Sequence, residues 1–244
     1  MLKKYKNLIL ISLFFINSLI SYSFRMDNID FDQRIDKDGY QEYTIFNDSM
    51  KRIRYKVFIK DVGTLPVSKA LEVYPKILTV EPKSYGILKV FGKGGVELPK
   101  KEHQFILAFK PIVIPTLAKS SGKKEVISGV ATIPLAPELL MSGYVGEVDF
   151  SKHLIAENIK FYKNEKGKLI ANLSVKNTAY TGLPLGLNFY NAEKNVLDSK
   201  AIGRISKNSV KNIEVELDAF KNSKDIKYIE FYNSTLGTIV EQKI

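Results

Sequence analysis

From Ile53 to Lys60, apolar Ile53, Tyr55, Val57 and Ile59 alternate with a second set that includes Arg54, Lys56 and Lys60. A period of two is the mark of a half-buried strand, here with a basic outer face. The pattern recurs: Phe105, Leu107 and Phe109 share one parity, as do Leu185, Leu187 and Phe189, and Ile213, Val215 and Leu217. Turn signals separate these runs at Asp38-Gly39, Gly92-Lys93-Gly94-Gly95, Lys166-Gly167 and Asn233-Ser234. The glycine cluster reads as a hairpin turn. Helix-period segments are few, with room for one helical turn between Val67 and Val73. Short strands at regular spacing predict an all-β protein built of sandwiches.

The first segment reads differently. Lys3, Lys4 and Lys6 precede an apolar stretch from Leu8 to Ile16, which Asn17-Ser18 interrupt and Ser21-Tyr22-Ser23 end. This is the pattern of a secretory signal cleaved before Phe24, and it is short for a membrane span of about 20 residues. The chain has 244 residues and a formal net charge of +11; without residues 1–23 it has 221 residues and +8. An exported basic protein is expected to meet acidic segments or carboxylates rather than nucleic acid, with no stable membrane insertion after cleavage. A boundary is expected near residues 137–148, where Pro134 and Pro137 flank a strand-like run and Gly143-Tyr144-Val145-Gly146 break any regular element. The expected units are therefore 24–142 and 143–244, each the size of an immunoglobulin-like sandwich. Between Pro111 and Lys124 lies a loop with a polar stretch from Lys119 to Lys124, of the kind that is often functional.

Catalytic constellations are not found. Zero Cys removes disulfides, thiolate metal sites and Cys nucleophiles, and His103 and His153 are too few for a His-based site. Ser120-Ser121-Gly122-Lys123 lacks the leading Gly and the following hydroxyl of a phosphate loop. Glu81 with Glu102 makes no convincing acid/base pair, and Glu214 and Glu216 alternate with Ile213 and Val215 as a solvated strand face. His103, beside Glu102, reads as a surface histidine, and Asn172-Leu173-Ser174 as a chance glycosylation match. No catalytic residue, metal or cofactor is expected.

One order of elements carries more. Tyr74-Pro75, Ile77, Val80 and Glu81-Pro82 precede Ile87-Leu88-Lys89-Val90-Phe91. Leu98-Pro99, Glu102, Phe105 to Phe109 and Ile114-Pro115 follow, then the polar loop and a strand ending Ile133-Pro134-Leu135-Ala136-Pro137. Together with Phe31, Ile45-Phe46-Asn47-Asp48-Ser49, Arg54 to Val57, Leu173 to Thr178 and Tyr228 to Asn233, this resembles the PapD-like periplasmic chaperones of the chaperone–usher pathway. The resemblance covers nearly all of residues 24–244 and implies two immunoglobulin-like sandwiches in an L-shaped (boomerang) arrangement. It also implies a periplasmic protein acting in pilus or fimbrial biogenesis, with a fibre subunit and an outer-membrane usher as partners. Such a chaperone lends a strand to a subunit that lacks one, a mode of recognition already known for chaperone–pilin pairs.

By the same resemblance, the donor strand is Glu125 to Ile133. Two parities are available, Ile127, Gly129, Ala131 and Ile133, or Val126, Ser128 and Val130. The resemblance favours the first as facing the subunit, with Val126 and Val130 turned to the chaperone's own core. Two family features look altered. Asn28 and Thr132 stand where the family places the Arg and Lys that anchor the subunit's terminal carboxylate. The interdomain ion pair looks incomplete, with Glu102 as its acid but Ala136 at the basic position. Candidate replacement anchors are Arg25, Arg54, Lys89 and Lys110. The alternative function is a secreted structural or adhesive surface protein built of the same domains. For the donor strand, Ile127→Asp is expected to abolish subunit capture in co-purification and leave the fold intact; undiminished capture by the folded variant would falsify that assignment.

Overall fold

The computed structural model describes residues 24–112 and 135–244. The first half contributes β1 (Phe24–Met26), β2 (Tyr40–Asn47), β3 (Ile53–Asp61), the one-turn α1 (Val67–Ala70), β4 (Leu71–Tyr74), β5 (Ile77–Val80), β6 (Ser84–Gly92), β7 (Glu102–Pro111) and β8 (Glu138–Tyr144). The second half contributes β9 (Leu154–Lys163), β10 (Leu169–Asn177), β11 (Leu183–Tyr190), β12 (Val196–Ile205), β13 (Ser209–Leu217), β14 (Tyr228–Asn233) and β15 (Gly237–Lys243).

These strands form four sheets, in the orders β1-β2-β6-β4, β5-β3-β7-β8, β13-β10-β9 and β12-β11-β14-β15. The ladders are antiparallel. The first two sheets pack face to face over one core, with Tyr43, Leu88, Phe105, Leu107 and Phe109 among its most buried members. The last two enclose a second, separate core around Leu173, Leu187, Phe189 and Phe231. The protein is thus two immunoglobulin-like β-sandwiches, and the changeover between cores falls between Val145 and Val148. The period-two reading holds at each named run. Phe105, Leu107 and Phe109 are buried, and so are Leu185, Leu187 and Phe189, while Glu214 and Glu216 face solvent.

Both sandwiches fasten the end of an interior strand in the same way. Asn47 ends β2, and its Nδ2 donates to the carbonyls of Lys51, Val80 and Glu81 at 2.8, 3.1 and 2.9 Å. Its Oδ1 accepts from the Ser49 amide at 3.1 Å. Asn177 ends β10, donates to the carbonyls of Thr181 and Ser206 at 3.0 and 3.1 Å, and accepts from the Ala179 amide at 2.9 Å. Both side chains are 1% exposed. Their cost of burial is met because donor and acceptor each find a main-chain partner that would otherwise be orphaned.

Three expectations need correction. The glycine cluster at 92–95 is not a hairpin: β6 pairs with β2 and β4, whereas β7 pairs with β3 and β8, so this connection crosses between sheets. His103 is not a surface residue. It has the parity of Phe105 and Phe109, is 4% exposed, and its Nε2 lies 2.8 Å from the Pro99 carbonyl, to which it donates. Gly143 and Tyr144 do not break regular structure, because both belong to β8, which runs from Glu138 to Tyr144 and pairs with β7. The Tyr74–Pro75 peptide is cis.

Asn177→Ala strands the Thr181 carbonyl and the Ala179 amide in the second sandwich, while the Ser206 carbonyl keeps the Ser209 hydroxyl at 2.7 Å. The variant is expected to lower the unfolding free energy by about 2–4 kcal/mol in urea titration. Thr178→Ala, at an exposed neighbour, should cost under about 1 kcal/mol.

Candidate functional site

β8 is the edge strand of its sheet, and its two ends are treated differently. Residues 32–35 lie along its C-terminal half in a parallel bridge, Arg34 opposite Tyr144. The Asp32 amide donates to Ser142 O at 2.8 Å, the Tyr144 amide to Gln33 O at 3.0 Å, and the Ile35 amide to Tyr144 O at 2.9 Å. This close approach requires glycine at 143, because a Cβ there would sit 2.6 Å from Ile35 Cγ2 and 3.0 Å from Gln33 O.

Upstream the edge opens. Successive residues of an antiparallel pair point their N–H and C=O groups alternately toward and away from the neighbour. Ser142 and Tyr144 point away from β7, so Leu140 and Glu138 do too. The Pro137 carbonyl points back to β7, accepting from Phe109 N at 3.0 Å. Among the described residues nothing pairs with the outward groups of Glu138 and Leu140. Leu140 is 60% and Leu135 53% exposed beside this edge. The facing edge, β1, sends Phe24 into the gap between the sheets, its ring 4.9 Å from Phe109 and 5.9 Å from Tyr55. Phe24, Met26 and Leu139 are only partly buried against the core there. The site is therefore an open strand edge above incompletely covered apolar side chains.

The donor-strand residues Val126, Ile127, Gly129, Val130, Ala131 and Ile133, with Thr132, lie outside the described residues. The four candidate anchors are not gathered in one place. Arg25 on β1 pairs with Asp48 at 3.7 Å and lies 4.2 Å over the Phe46 ring. Lys89 on β6 pairs with Glu42 at 3.4 Å. Arg54 and Lys110 stand on adjacent strands of the other sheet, Arg54 Nε donating to Thr79 Oγ1 at 3.0 Å and Lys110 directly opposite Lys56. Asn28 serves a turn, accepting from the Asp30 amide at 2.9 Å.

The ion pair between the sandwiches is complete, and not where it was expected. Tyr144, rather than Ala136, lies opposite Glu102. The cation comes from β12: Arg204 Nη2 is 3.0 Å from Glu102 and 2.8 Å from Asp32, and Lys207 is 3.7 Å from Glu102. Glu102 also accepts from the Gly182 amide at 2.9 Å and from Thr181 Oγ1 at 3.3 Å. Gly182 leaves room for Arg204, since a Cβ there would be 2.5 Å from Nη1. Asp32 is the outlier. Its carboxylate is buried, neither oxygen receives a hydrogen bond, and its φ is +41°. Burial pushes its pKa up to about 7, with Asp30 and Glu102 adding to the rise and Arg204 opposing it. Sequence reasoning missed Arg204 and Asp32. It also missed β8, whose one signal was the shared parity of Leu139, Met141 and Gly143.

No family model matches the chain, and no curated protein matches it. Among solved structures it is similar to the Pseudomonas aeruginosa CupB2 chaperone, with 11% identity over 90% of this chain and 100% of that one, and a TM-score of 0.38. It is similar to the E. coli chaperone DraB at 13% identity, over 91% of this chain and 98% of that one, with a TM-score of 0.38. The Salmonella enterica SafA pilin in complex with the SafB chaperone gives 10% identity, 91% and 97% coverage, and a TM-score of 0.41.

An unfolded Asp titrates near 3.9. Between about pH 4 and pH 7 the native state therefore holds a proton on Asp32 that the unfolded chain lacks. Stability from Asp32 is fully present at the acid end and is lost as pH rises through the native value. Asp32→Asn removes this slope, so the wild type should lose ground to the variant in urea midpoints between pH 5 and pH 8. Parallel curves would refute the buried carboxyl as their source.

Proposed function

We propose that this protein is a periplasmic chaperone without catalytic activity. It stabilises a pilus or fimbrial subunit by pairing the subunit's exposed backbone with a strand of its own, then delivers it to an outer-membrane usher. The observation that carries the reading is the outward backbone of Glu138 and Leu140, unpaired among the described residues, on an edge that residues 32–35 cover from Ser142 onward.

An open edge is an aggregation hazard that folded proteins ordinarily cover, twist away or charge. Here the covering segment exists and stops short, and the uncovered stretch presents Leu140 and Leu135 to solvent. Such an edge recognises another chain by strand addition, in which main-chain hydrogen bonds supply affinity and alternate side chains supply selectivity. The proposed donor residues 125–133 precede β8 directly in the chain, so strand and edge would form one continuous platform. The positive balance of the mature chain favours a partner with acidic or carboxylate groups.

Leu140→Pro tests the reading without disturbing the sheet, because the N–H it removes points away from β7. The variant and the wild type would each be co-expressed with a pilus or fimbrial subunit, then analysed by affinity purification and native mass spectrometry. The wild type should yield a one-to-one complex, and the proline variant, with an unchanged circular dichroism spectrum, at least about tenfold less of it. Equal yields would remove the edge from the mechanism. Recovery of the wild type in shed surface fibres, with no soluble binary complex, would favour a structural role instead.

A further inference from the structure

Residues 32–35 leave a question that strand addition alone does not answer: what decides where the open edge stops. We propose that Arg204 of the second sandwich is a positioning residue for that edge. By holding the Asp32 carboxylate it keeps Asp32 and Gln33 seated on Ser142–Tyr144, and so sets how much of β8 an incoming strand can pair with. The proposal rests on the strand-addition reading for its purpose, but its physical content belongs to the free protein.

The seat is weak by itself. Asp32 and Gln33 contribute two main-chain hydrogen bonds to β8, one from the Asp32 amide and one from the Tyr144 amide. Among the described residues, 32–35 make no backbone ladder to any other strand. Such bonds largely exchange one partner for water, so the pair is a modest hold. Against it stands a buried carboxylate that accepts no hydrogen bond and has Asp30 and Glu102 close by. A buried charge without a partner drives its segment toward water. What reverses the balance is Arg204, 2.8 Å from Asp32 Oδ1.

The segment is also built to lift locally. Phe31 and Ile35, both buried in the first core, bracket it and stay in place as fixed ends. Between them Asp32 sits in the left-handed region, which Asp tolerates better than most residues. Lifting Asp32 and Gln33 would free the outward carbonyl of Ser142 and the amide of Tyr144, lengthening the open edge toward the junction of the two sandwiches. Arg204 belongs to β12 of the second sandwich, so the seating of that sandwich on the first is coupled to the length of the edge. Glu102 shares Arg204, but it keeps the Gly182 amide, Thr181 and Lys207 when Arg204 is removed.

Amide hydrogen exchange of the purified, partner-free protein at pH 8 tests this. Arg204→Ala should accelerate exchange at the Asp32 and Tyr144 amides by about tenfold or more, and leave the β2–β6 ladder unchanged. Adding Asp32→Asn to that variant removes the unpaired charge and should restore protection to within about threefold of wild type. Glu102→Gln, which leaves the Asp32–Arg204 pair in place, should exchange like wild type. Unchanged exchange in Arg204→Ala would overturn the proposal. So would acceleration that Asp32→Asn does not repair, since that marks general loosening of the junction. Because the readout needs no partner, its failure leaves strand addition standing, and failure of subunit capture leaves this result standing.

Discussion

An edge strand carries a row of N–H and C=O groups that its own sheet cannot use, and the way each sandwich disposes of them organises the rest of this structure. In the second sandwich the side chain of Gln242 on β15 imitates a strand. It accepts from the Ala156 amide at 3.0 Å and donates to the Ala156 carbonyl at 2.8 Å, tying β15 of one sheet to β9 of the other. The outer strand β13 is protected differently, by Lys211, Glu214 and Glu216 along its length. In the first sandwich the chain itself does the closing. It pairs with β2 as β1, crosses the end of the core near Phe31, and pairs with β8 from Asp32 to Ile35. That crossing covers the C-terminal half of β8, and among the described residues nothing covers the other half. The candidate site is thus a remainder of the closing topology rather than an addition to it.

With no cysteine to tie either sandwich, cohesion rests on inward parity and on a few saturated polar groups. Most ion pairs here are exposed and contribute little individually. Asn47 and Asn177 matter more, because each ties three segments through a buried amide that has both a donor and an acceptor to satisfy. Their positions at the ends of equivalent strands show the same solution used twice in one chain. That repetition is physical evidence that the halves share a fold, independent of any outside comparison.

Much of the fold was legible because strand faces follow local rules. The alternation at Ile53–Lys60 and at Phe105–Phe109 needs no tertiary knowledge to assign inside and outside, and the short Asn motifs marked true strand ends. β8 escaped because Glu138-Leu139-Leu140-Met141 are strong helix formers set after Pro134 and Pro137, so local propensity and strand pairing disagreed. The glycines at 92–95 fit a hairpin locally; only the sheet partners of β6 and β7 show a crossover. His103 was misjudged because its neighbour Glu102 suggested polarity, although the parity of the strand already turned it inward. Asp32 and Arg204 were illegible for a deeper reason: their pairing exists only once two sandwiches, far apart in sequence, are docked.

Two buried carboxylates, Glu230 and Asp32, show how differently a fold can treat the same group. Glu230 lies in β14 with no cation against it among the described residues, yet Asn188 Nδ2 donates to it at 2.9 Å and the hydroxyls of Tyr190 and Thr238 donate as well. Burial raises its pKa, but those three donors outweigh burial and hold it below the usual Glu range. A carboxylate solvated in this way by its own sandwich stabilises a fixed arrangement. Asp32 has the opposite endowment, a cation at the distance of an ion pair and no hydrogen bond to either oxygen. When ionised it is held by a cation from the other sandwich, so in that form it is secure only while the two halves stay seated. The chain places that dependence beside the β8 edge, where a change of seating would alter the cover that residues 32–35 give to Ser142–Tyr144.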